Sequence, residues 1–374
     1  MSKCSVFQLY ATAAFGLEGL VSAELKRLNM KDIHAESGGV LFSGTADDAF
    51  LCNIRSRFCD RIYILLKQSI CRSFEDLFQF VFSIPWENYT DGTEAYNVSA
   101  KCVKSMLMSQ RDCQSITKKA IIEKLKATTV RRVFPESGAS FPVHVSIRHD
   151  IARLFIDTTG TALSRRGYRT WNGEAPIRET LASALVEMSP WRPGQPLYDP
   201  CCGTGTILIE AALREMHIAP GLYRPFSMEN FSFCKNVSFD VIRETEKEAV
   251  ISDHIPDICG SDIDPATVDL ADRHIIQAGL RNKISVRVQA LQDVTVERKN
   301  GVFICNPPYG ERISDKKTCH ILYRELNKLK MRHPSWSLCA ISSDPEFERY
   351  FGKKADKIKR LYNGRLECNY YIYL

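Results

Sequence analysis

The chain has 374 residues, of which 44 % are hydrophobic and 25 % charged, and a formal net charge of +6. That length argues against a single ordinary domain, and that composition leaves no region too poor in apolar residues to build a core. The basic excess is compatible with a polyanionic partner but is too modest to specify one.

The 14 cysteines contain no CxxC pair, which removes the zinc-ribbon spacing and the thioredoxin-type redox motif. Cys259, Cys305 and Cys339 lie in apolar runs and read as small buried hydrophobes in a reducing compartment. The N-terminus lacks an apolar signal core and no run is long enough to span a bilayer, so a soluble cytoplasmic protein is expected.

Residues 1–65 predict a small α+β unit. A strand over 6–11 leads into a helix over 16–28, where Leu17, Leu20, Val21, Leu25 and Leu28 recur at helical spacing. Gly38-Gly39 marks a turn before a strand at 40–42. A helix over 46–55 and a strand over 61–66 complete β-α-β-β-α-β, a ferredoxin-like order. Charge is balanced here, with seven Lys/Arg against seven Asp/Glu.

Residues 66–165 form a second expected domain of different character. Between 95 and 135 there are nine Lys/Arg against only Asp112 and Glu123. A helix over 114–127 carries Lys118, Lys119, Lys124 and Lys126, and strands follow at 143–148 and 151–157. A basic helix is often only a solvated face, but an excess confined to one region beside a neutral one points to a nucleic-acid surface. Lys101, Lys104, Arg111, Lys118, Lys119, Arg165 and Arg166 are the candidate RNA contacts.

Residues 166–374 predict a third, α/β domain. A helix over 176–188 begins with Pro in its first turn and aligns Ile177, Leu181, Leu185 and Met188. Strand 197–199 precedes helix 206–214, and strand 258–262 precedes helix 265–278, capped by Asp264 and stopped by Gly279. Strands at 284–288 and 302–305, a helix over 319–331 and a strand over 337–341 follow. Strands at 358–362 and 366–373 flank Asn363-Gly364, a strong hairpin signal. A parallel α/β sheet closed by an antiparallel hairpin is the topology of the common methyltransferase fold, and a generic Rossmann domain lacks the hairpin.

Three motifs carry chemistry. Asp199-Pro200-Cys201-Cys202-Gly203-Thr204-Gly205-Thr206 lies at a strand-to-helix junction, where glycines let the backbone approach a ligand closely. Leu208 occupies the third-glycine position and no Walker lysine follows, so neither a dinucleotide fingerprint nor a phosphate loop fits. S-adenosylmethionine carries no phosphate and needs only room over such a loop. Asp262, at the end of the next strand, can accept two hydrogen bonds from ribose hydroxyls, whereas Asp264, just before Pro265, is suited to capping the helix. Asn306-Pro307-Pro308-Tyr309 is the most specific of the three. An aromatic amine is a poor nucleophile because its lone pair is delocalised. Accepting its two N–H groups at the Asn306 amide oxygen and the Pro307 carbonyl orients the nitrogen and offsets developing positive charge, while Tyr309 offers a face for stacking.

These motifs, with Arg165-Arg166-Gly167-Tyr168-Arg169, Ala175-Pro176-Ile177-Arg178-Glu179-Thr180, Ala219-Pro220-Gly221, the stretch 306–312 and Tyr362-Asn363-Gly364-Arg365, resemble the THUMP-domain RNA methyltransferases over essentially the whole chain. Within that family they are most similar to the guanine-N2 methyltransferase half of RlmL and its stand-alone YpsC-type relatives. The resemblance implies a ferredoxin-like domain (1–65), a THUMP RNA-binding domain (66–165) and a class I, Rossmann-like methyltransferase domain (166–374). It implies S-adenosylmethionine as cofactor and the guanine N2 of 23S rRNA, free or in a pre-50S particle, as target. It implies no metal and no membrane partner, and the expected state is a monomer or weak dimer.

Carried over residue by residue, Asn306, Pro307, Pro308 and Tyr309 match the catalytic tetrad. Asp199, Cys201, Gly203, Thr204, Gly205, Thr206, Asp262, Ile263, Asp293 and Asn306 form the cofactor set, with Gln289 as rival to Asp293 for the adenine amino group. The thiols of Cys201 and Cys202 receive no chemistry. The alternatives are an adenine-N6 or cytosine-N4 nucleic-acid methyltransferase, a glutamine-N5 protein methyltransferase, and an RNA-binding module whose catalytic domain is inactive. The basic region argues against the protein substrate and against DNA, and the intact acceptor motif against the inactive module.

Overall fold

A computed structural model describes residues 5–135, 137–169, 177–308 and 316–374. The chain divides into two compact units. The first comprises residues 1–13, 21–163 and 223–244, and the second residues 14–20, 164–222 and 245–374.

The first unit is built on one seven-stranded sheet. Its elements are β1 (Phe7–Ala13), α1 (Glu18–Arg27, which passes from the second unit into the first), β2 (Lys31–Glu36), β3 (Gly39–Gly44), α2 (Ala46–Arg55) and β4 (Cys59–Ile70). They continue with α3 (Phe74–Phe82), β5 (Ala95–Val103), α4 (Gln110–Thr128), β6 (Ser140–Arg148) and β7 (Ile151–Asp157). The strand order is β2-β3-β1-β4-β7-β6-β5, and its first four members are the ferredoxin-like set.

The expected boundary at 65/66 falls inside β4. That strand runs on to Ile70, pairing β1 along one edge and β7 along the other, so the first two expected domains share a continuous ladder. Helix α4 begins a turn earlier than its apolar periodicity suggested, because the Ser109 hydroxyl accepts the Asp112 amide and fixes the start. Thr45 with Asp48 and Ser73 with Asp76 form capping boxes that start α2 and α3. Neither α3 nor β5 was anticipated from the sequence.

Residues 223–244, expected in the third domain, pack with the first unit. Phe226 and Phe231 are each only 2 % exposed. The Phe226 ring lies 5.7 Å from Phe50 and the Phe231 ring 4.9 Å from Phe141. Burying two phenyl rings, worth about 2 kcal/mol each, holds this excursion in place.

The second unit holds α5 (Glu179–Met188), β8 (Leu197–Asp199), α6 (Thr206–Glu215), β9 (Ile258–Asp262), α8 (Pro265–Gln277) and β10 (Ser285–Val288); α7 (Phe239–Glu248), between α6 and β9 in the chain, begins in the first unit and ends in the second. They are followed by β11 (Val302–Cys305), α9 (Lys316–Arg332), β12 (Ser337–Ser342), α10 (Phe347–Phe351), β13 (Lys357–Asn363) and β14 (Leu366–Tyr373). The strand order is β10-β9-β8-β11-β12-β14-β13, with β8 to β12 parallel and β14 antiparallel to both of its neighbours. This is the doubly wound α/β sheet closed by a hairpin that the element pattern implied.

Asn363 pairs with Leu366 in that hairpin, so the two loop residues are Gly364 and Arg365, one position later than the Asn-Gly signal suggests. Gly364 has φ 69°, the sign that a type II′ turn requires at its first loop position. Phe303, Tyr323, Trp336 and Phe347 fill the core between this sheet and α9 and α10. Cys305 is fully buried there and Cys259 is only half-buried at its margin; Cys339 is fully buried too but is not part of that cluster. Among the described residues, no helix is long and apolar enough to cross a membrane.

Candidate active site

Parallel strands deliver their C-terminal ends to one edge of a sheet, and crevices form where the strand order reverses. In the second unit Asp199 ends β8, Asp262 ends β9, Gln289 follows β10 and Asn306 follows β11. All four line one cavity of about 1150 Å³.

The loop after β8 is stapled to the end of β9. The Cys201 amide donates to Asp199 Oδ1 at 3.0 Å, the Cys202 amide to the Ser261 carbonyl at 2.9 Å, and the Gly203 amide to Asp262 Oδ2 at 3.0 Å. Gly203 has φ 51°, and a Cβ there would meet no atom within 4 Å, so the glycine leaves clearance on the cavity side. Cys201, Thr204, Thr206 and Ile263 also line the cavity. Gly205 does not. It takes φ 79° as the N-cap of α6 and faces Ala271, whose Cβ would lie 3.3 Å from a Cβ at this position. Asp264 caps α8, accepting from the Ala266 amide at 3.0 Å.

The two carboxylates differ in environment. Asp262 Oδ1 accepts the Asp264 amide at 3.1 Å, and with Gly203 on Oδ2 each oxygen keeps acceptor capacity toward the cavity. Asp199 is 1 % exposed. Burial, and after it the nearby Asp262, push its carboxyl well above the usual carboxylate range. A ligand bringing positive charge would relieve both effects. S-adenosylmethionine carries an ammonium and a sulfonium, and the donor set fits it.

At the opposite wall, Asn306, Pro307 and Pro308 line the same cavity. Asn306 Oδ1 is buried and has no hydrogen-bond partner among the described residues. The Tyr323 hydroxyl reaches the Pro308 carbonyl at 3.5 Å and the Ser342 hydroxyl at 3.3 Å, which ties the proline pair to α9 and β12. Tyr309, the fourth residue of the expected tetrad, lies outside the described residues, as do Ala175 and Pro176.

Two expected site residues are placed differently. Asp293 is exposed and does not line the cavity. Gln289 does, and its amide is braced by the Tyr198 hydroxyl at 3.3 Å and the Asp293 carbonyl at 2.7 Å. Arg166 is not available to RNA. Its side chain is 2 % exposed and pairs at 3.4 Å with the fully buried Glu210, which also accepts from the Tyr168 hydroxyl at 3.0 Å and from Ser183. Arg169 is likewise engaged, donating to the Ile177 carbonyl and to Glu179. Arg165, in contrast, is exposed.

Gln292 and the hairpin residues Gly364 and Arg365 also line the cavity, and sequence reasoning missed them in this role. Among the described residues, His320, Asp344 and Glu346 place donor atoms within 4.8 Å of one another. They form an ion pair and a capped turn, with Glu346 bonded to Arg349.

Family models match the chain in order. The RlmL ferredoxin-like domain covers residues 8–63, the THUMP domain 71–157, and the RMKL-like methyltransferase domain 166–372. The putative RNA methyltransferase YpsC of Bacillus subtilis is 37 % identical over 98 % of this chain and 96 % of its own. The ribosomal RNA large subunit methyltransferase K/L of Shewanella frigidimarina is 30 % identical over 98 % of this chain but 53 % of its own, so this chain spans about half the length of that relative. The crystal structure of SMU.472, a putative methyltransferase complexed with SAH, superposes with a TM-score of 0.95 at 40 % identity, covering 100 % of this chain and 98 % of that one. The chain thus belongs to the RMKL-like methyltransferase family, in its form preceded by RlmL ferredoxin-like and THUMP domains.

Proposed function

We propose that this chain transfers a methyl group from S-adenosylmethionine to the exocyclic N2 amine of a guanine in RNA, with 23S rRNA, free or in a pre-50S particle, as substrate. The cofactor is S-adenosylmethionine, as in the SAH-bound relative. When bound it supplies an electrophilic methyl group. One observation carries the amine as acceptor: the buried Asn306 Oδ1, unpartnered among the described residues, beside Pro307 on the cavity wall. These two oxygens take the two N–H groups of a planar amine, while Tyr323 engages the next carbonyl, that of Pro308. Asp262 holds the ribose of the cofactor. Tyr309 provides the stacking face for a base flipped from its helix. The ribosomal substrate follows the names of the K/L relatives, and a cytoplasmic location is proposed with it.

The division of labour follows residues 1–65 and 66–165 for holding RNA and 166–374 for chemistry. Lys101, Lys104, Arg111, Lys119 and Arg165 are exposed. Lys118 lines a second cavity, of about 710 Å³, with Arg61, Tyr63 and His144. The Tyr63 and His144 rings stack at 5.5 Å there, and a cationic and aromatic wall suits a single-stranded nucleotide.

The test is methyl transfer to in-vitro-transcribed 23S rRNA, followed by nucleoside mass spectrometry. N2-methylguanosine is expected. N6-methyladenosine or N4-methylcytidine would overturn the choice of guanine, and no methylated nucleoside would overturn the choice of RNA. A second measurement concerns the cofactor. Asp262→Ala is expected to weaken S-adenosylmethionine binding by about 1.5–3 kcal/mol in isothermal titration, because a charged acceptor is lost. Unchanged affinity would place the ribose elsewhere.

A further inference from the structure

The Tyr362-Asn363-Gly364-Arg365 motif turns the last hairpin and puts Asn363, Gly364 and Arg365 on the cavity wall. Its surroundings are strongly basic: residues 353–367 hold six Lys/Arg against Asp356 and Glu367. Strand β13 is the terminal strand of its sheet, and Lys357, Lys359 and Arg360 on it are exposed. Arg360 is committed to Glu367 at 3.1 Å, and the Tyr362 hydroxyl donates to the same carboxylate at 2.8 Å. Lys357, Lys359 and Arg365 make no ion pair among the described residues.

Arg365 stands apart from the lysines. It lies in the two-residue turn, beyond the last ladder pair, Asn363 with Leu366. It is exposed, yet it lines the cavity that holds Asn306 and Asp262. The turn is short and closed by that ladder pair, so the guanidinium is presented from a braced element rather than a loose loop. A base flipped into the cavity leaves its flanking phosphates at the rim. A bidentate cation without an internal partner is the group that binds them. Lys357 and Lys359 share one side of the strand, about 6.6 Å apart, and extend the positive line away from the rim.

We propose that the β13–β14 hairpin is an RNA grip of the catalytic unit: Arg365 binds the phosphate beside the target nucleotide, and Lys357 and Lys359 bind phosphates further along the strand. Lysines on a terminal strand also deter edge-to-edge pairing. That role accounts for Lys357 and Lys359 but not for an arginine in the turn at the cavity wall. The inference rests on RNA being the substrate.

The experiment measures binding of in-vitro-transcribed 23S rRNA to the S-adenosylhomocysteine-loaded protein across a salt series. Arg365→Ala is expected to raise the RNA Kd about tenfold and to lower the slope of log K against log salt by about 0.7, the value for one phosphate contact on a single strand. Arg365→Lys should restore part of the affinity. Lys357→Ala with Lys359→Ala should lower the slope by about 1.4. S-adenosylhomocysteine affinity should be the same in every variant, which a misfolded cavity would not allow. Wild-type protein that binds RNA, with Arg365→Ala matching it in Kd and slope, overturns the grip alone. Wild-type protein that fails to bind RNA overturns the substrate reading and the grip together.

Discussion

Asn306→Ala is expected to lower kcat by about 10²–10³-fold while leaving S-adenosylmethionine affinity within about twofold of wild type. The magnitude is that of removing one preorganised group aimed at charge that develops only in the transition state. Asn306 Oδ1 is buried without a partner among the described residues, so the protein already carries the cost of desolvating it before substrate arrives. That cost is recovered when an amine N–H reaches it, most of all as the nitrogen turns cationic during methyl transfer. Alanine removes the acceptor and leaves Pro307 as the remaining carbonyl for two protons. The proposed cofactor contacts, Asp262 at the end of β9 and Gly203 in the loop after β8, are not on this turn. Single-turnover kinetics and titration separate the two quantities. A parallel loss of cofactor affinity would make Asn306 a cofactor ligand, and full turnover in the variant would remove the acceptor role altogether.

The second large effect concerns stability. Glu210→Ala is expected to destabilise the catalytic unit by about 3–5 kcal/mol, a fall in Tm of roughly 6–20 °C by thermal melting. Glu210 on α6 pairs with Arg166, and both side chains are almost wholly inaccessible. Removing the anion takes the buried carboxylate away from a guanidinium in the interior and from the Tyr168 hydroxyl, which donates to the same group. The paired replacement Arg166→Met with Glu210→Leu should recover most of the loss, because a buried ion pair and an apolar pair of similar volume differ little in net energy. If the single variant melts like wild type, or the paired one is no better than the single, the network does not hold Arg166 as described.

The outcome for Arg166 shows where sequence reasoning stops. Arg165 and Arg166 are adjacent cations in one motif, and nothing local separates them. One is exposed and the other is enclosed by Glu210, 44 residues later in the chain. Hydrophobic periodicity reports which face of an element is apolar, not which distant element covers it. The same limit applies to β4, whose outer edge is taken by β7, and to residues 223–244, whose Phe226 and Phe231 rings are buried in the first unit.

What the sequence by itself determined was the chemistry carried by contiguous residues. The turn after β8, the carboxylate ending β9 and the Asn-Pro-Pro after β11 each declare a local backbone shape and a donor or acceptor, and parallel strand order then carries all three to one sheet edge. Only the tertiary structure decided which neighbours complete that edge. Gln289 rather than Asp293 faces the cavity, because the 3₁₀ turn at Leu291–Asp293 leaves Asp293 exposed while the Asp293 carbonyl braces the Gln289 amide. Arg365 reaches the cavity because β14 inserts antiparallel between β12 and β13, which returns the turn of the last hairpin to the active edge. Such placements depend on strand register and on the direction in which an element crosses the sheet, quantities that residue identity at one position does not encode.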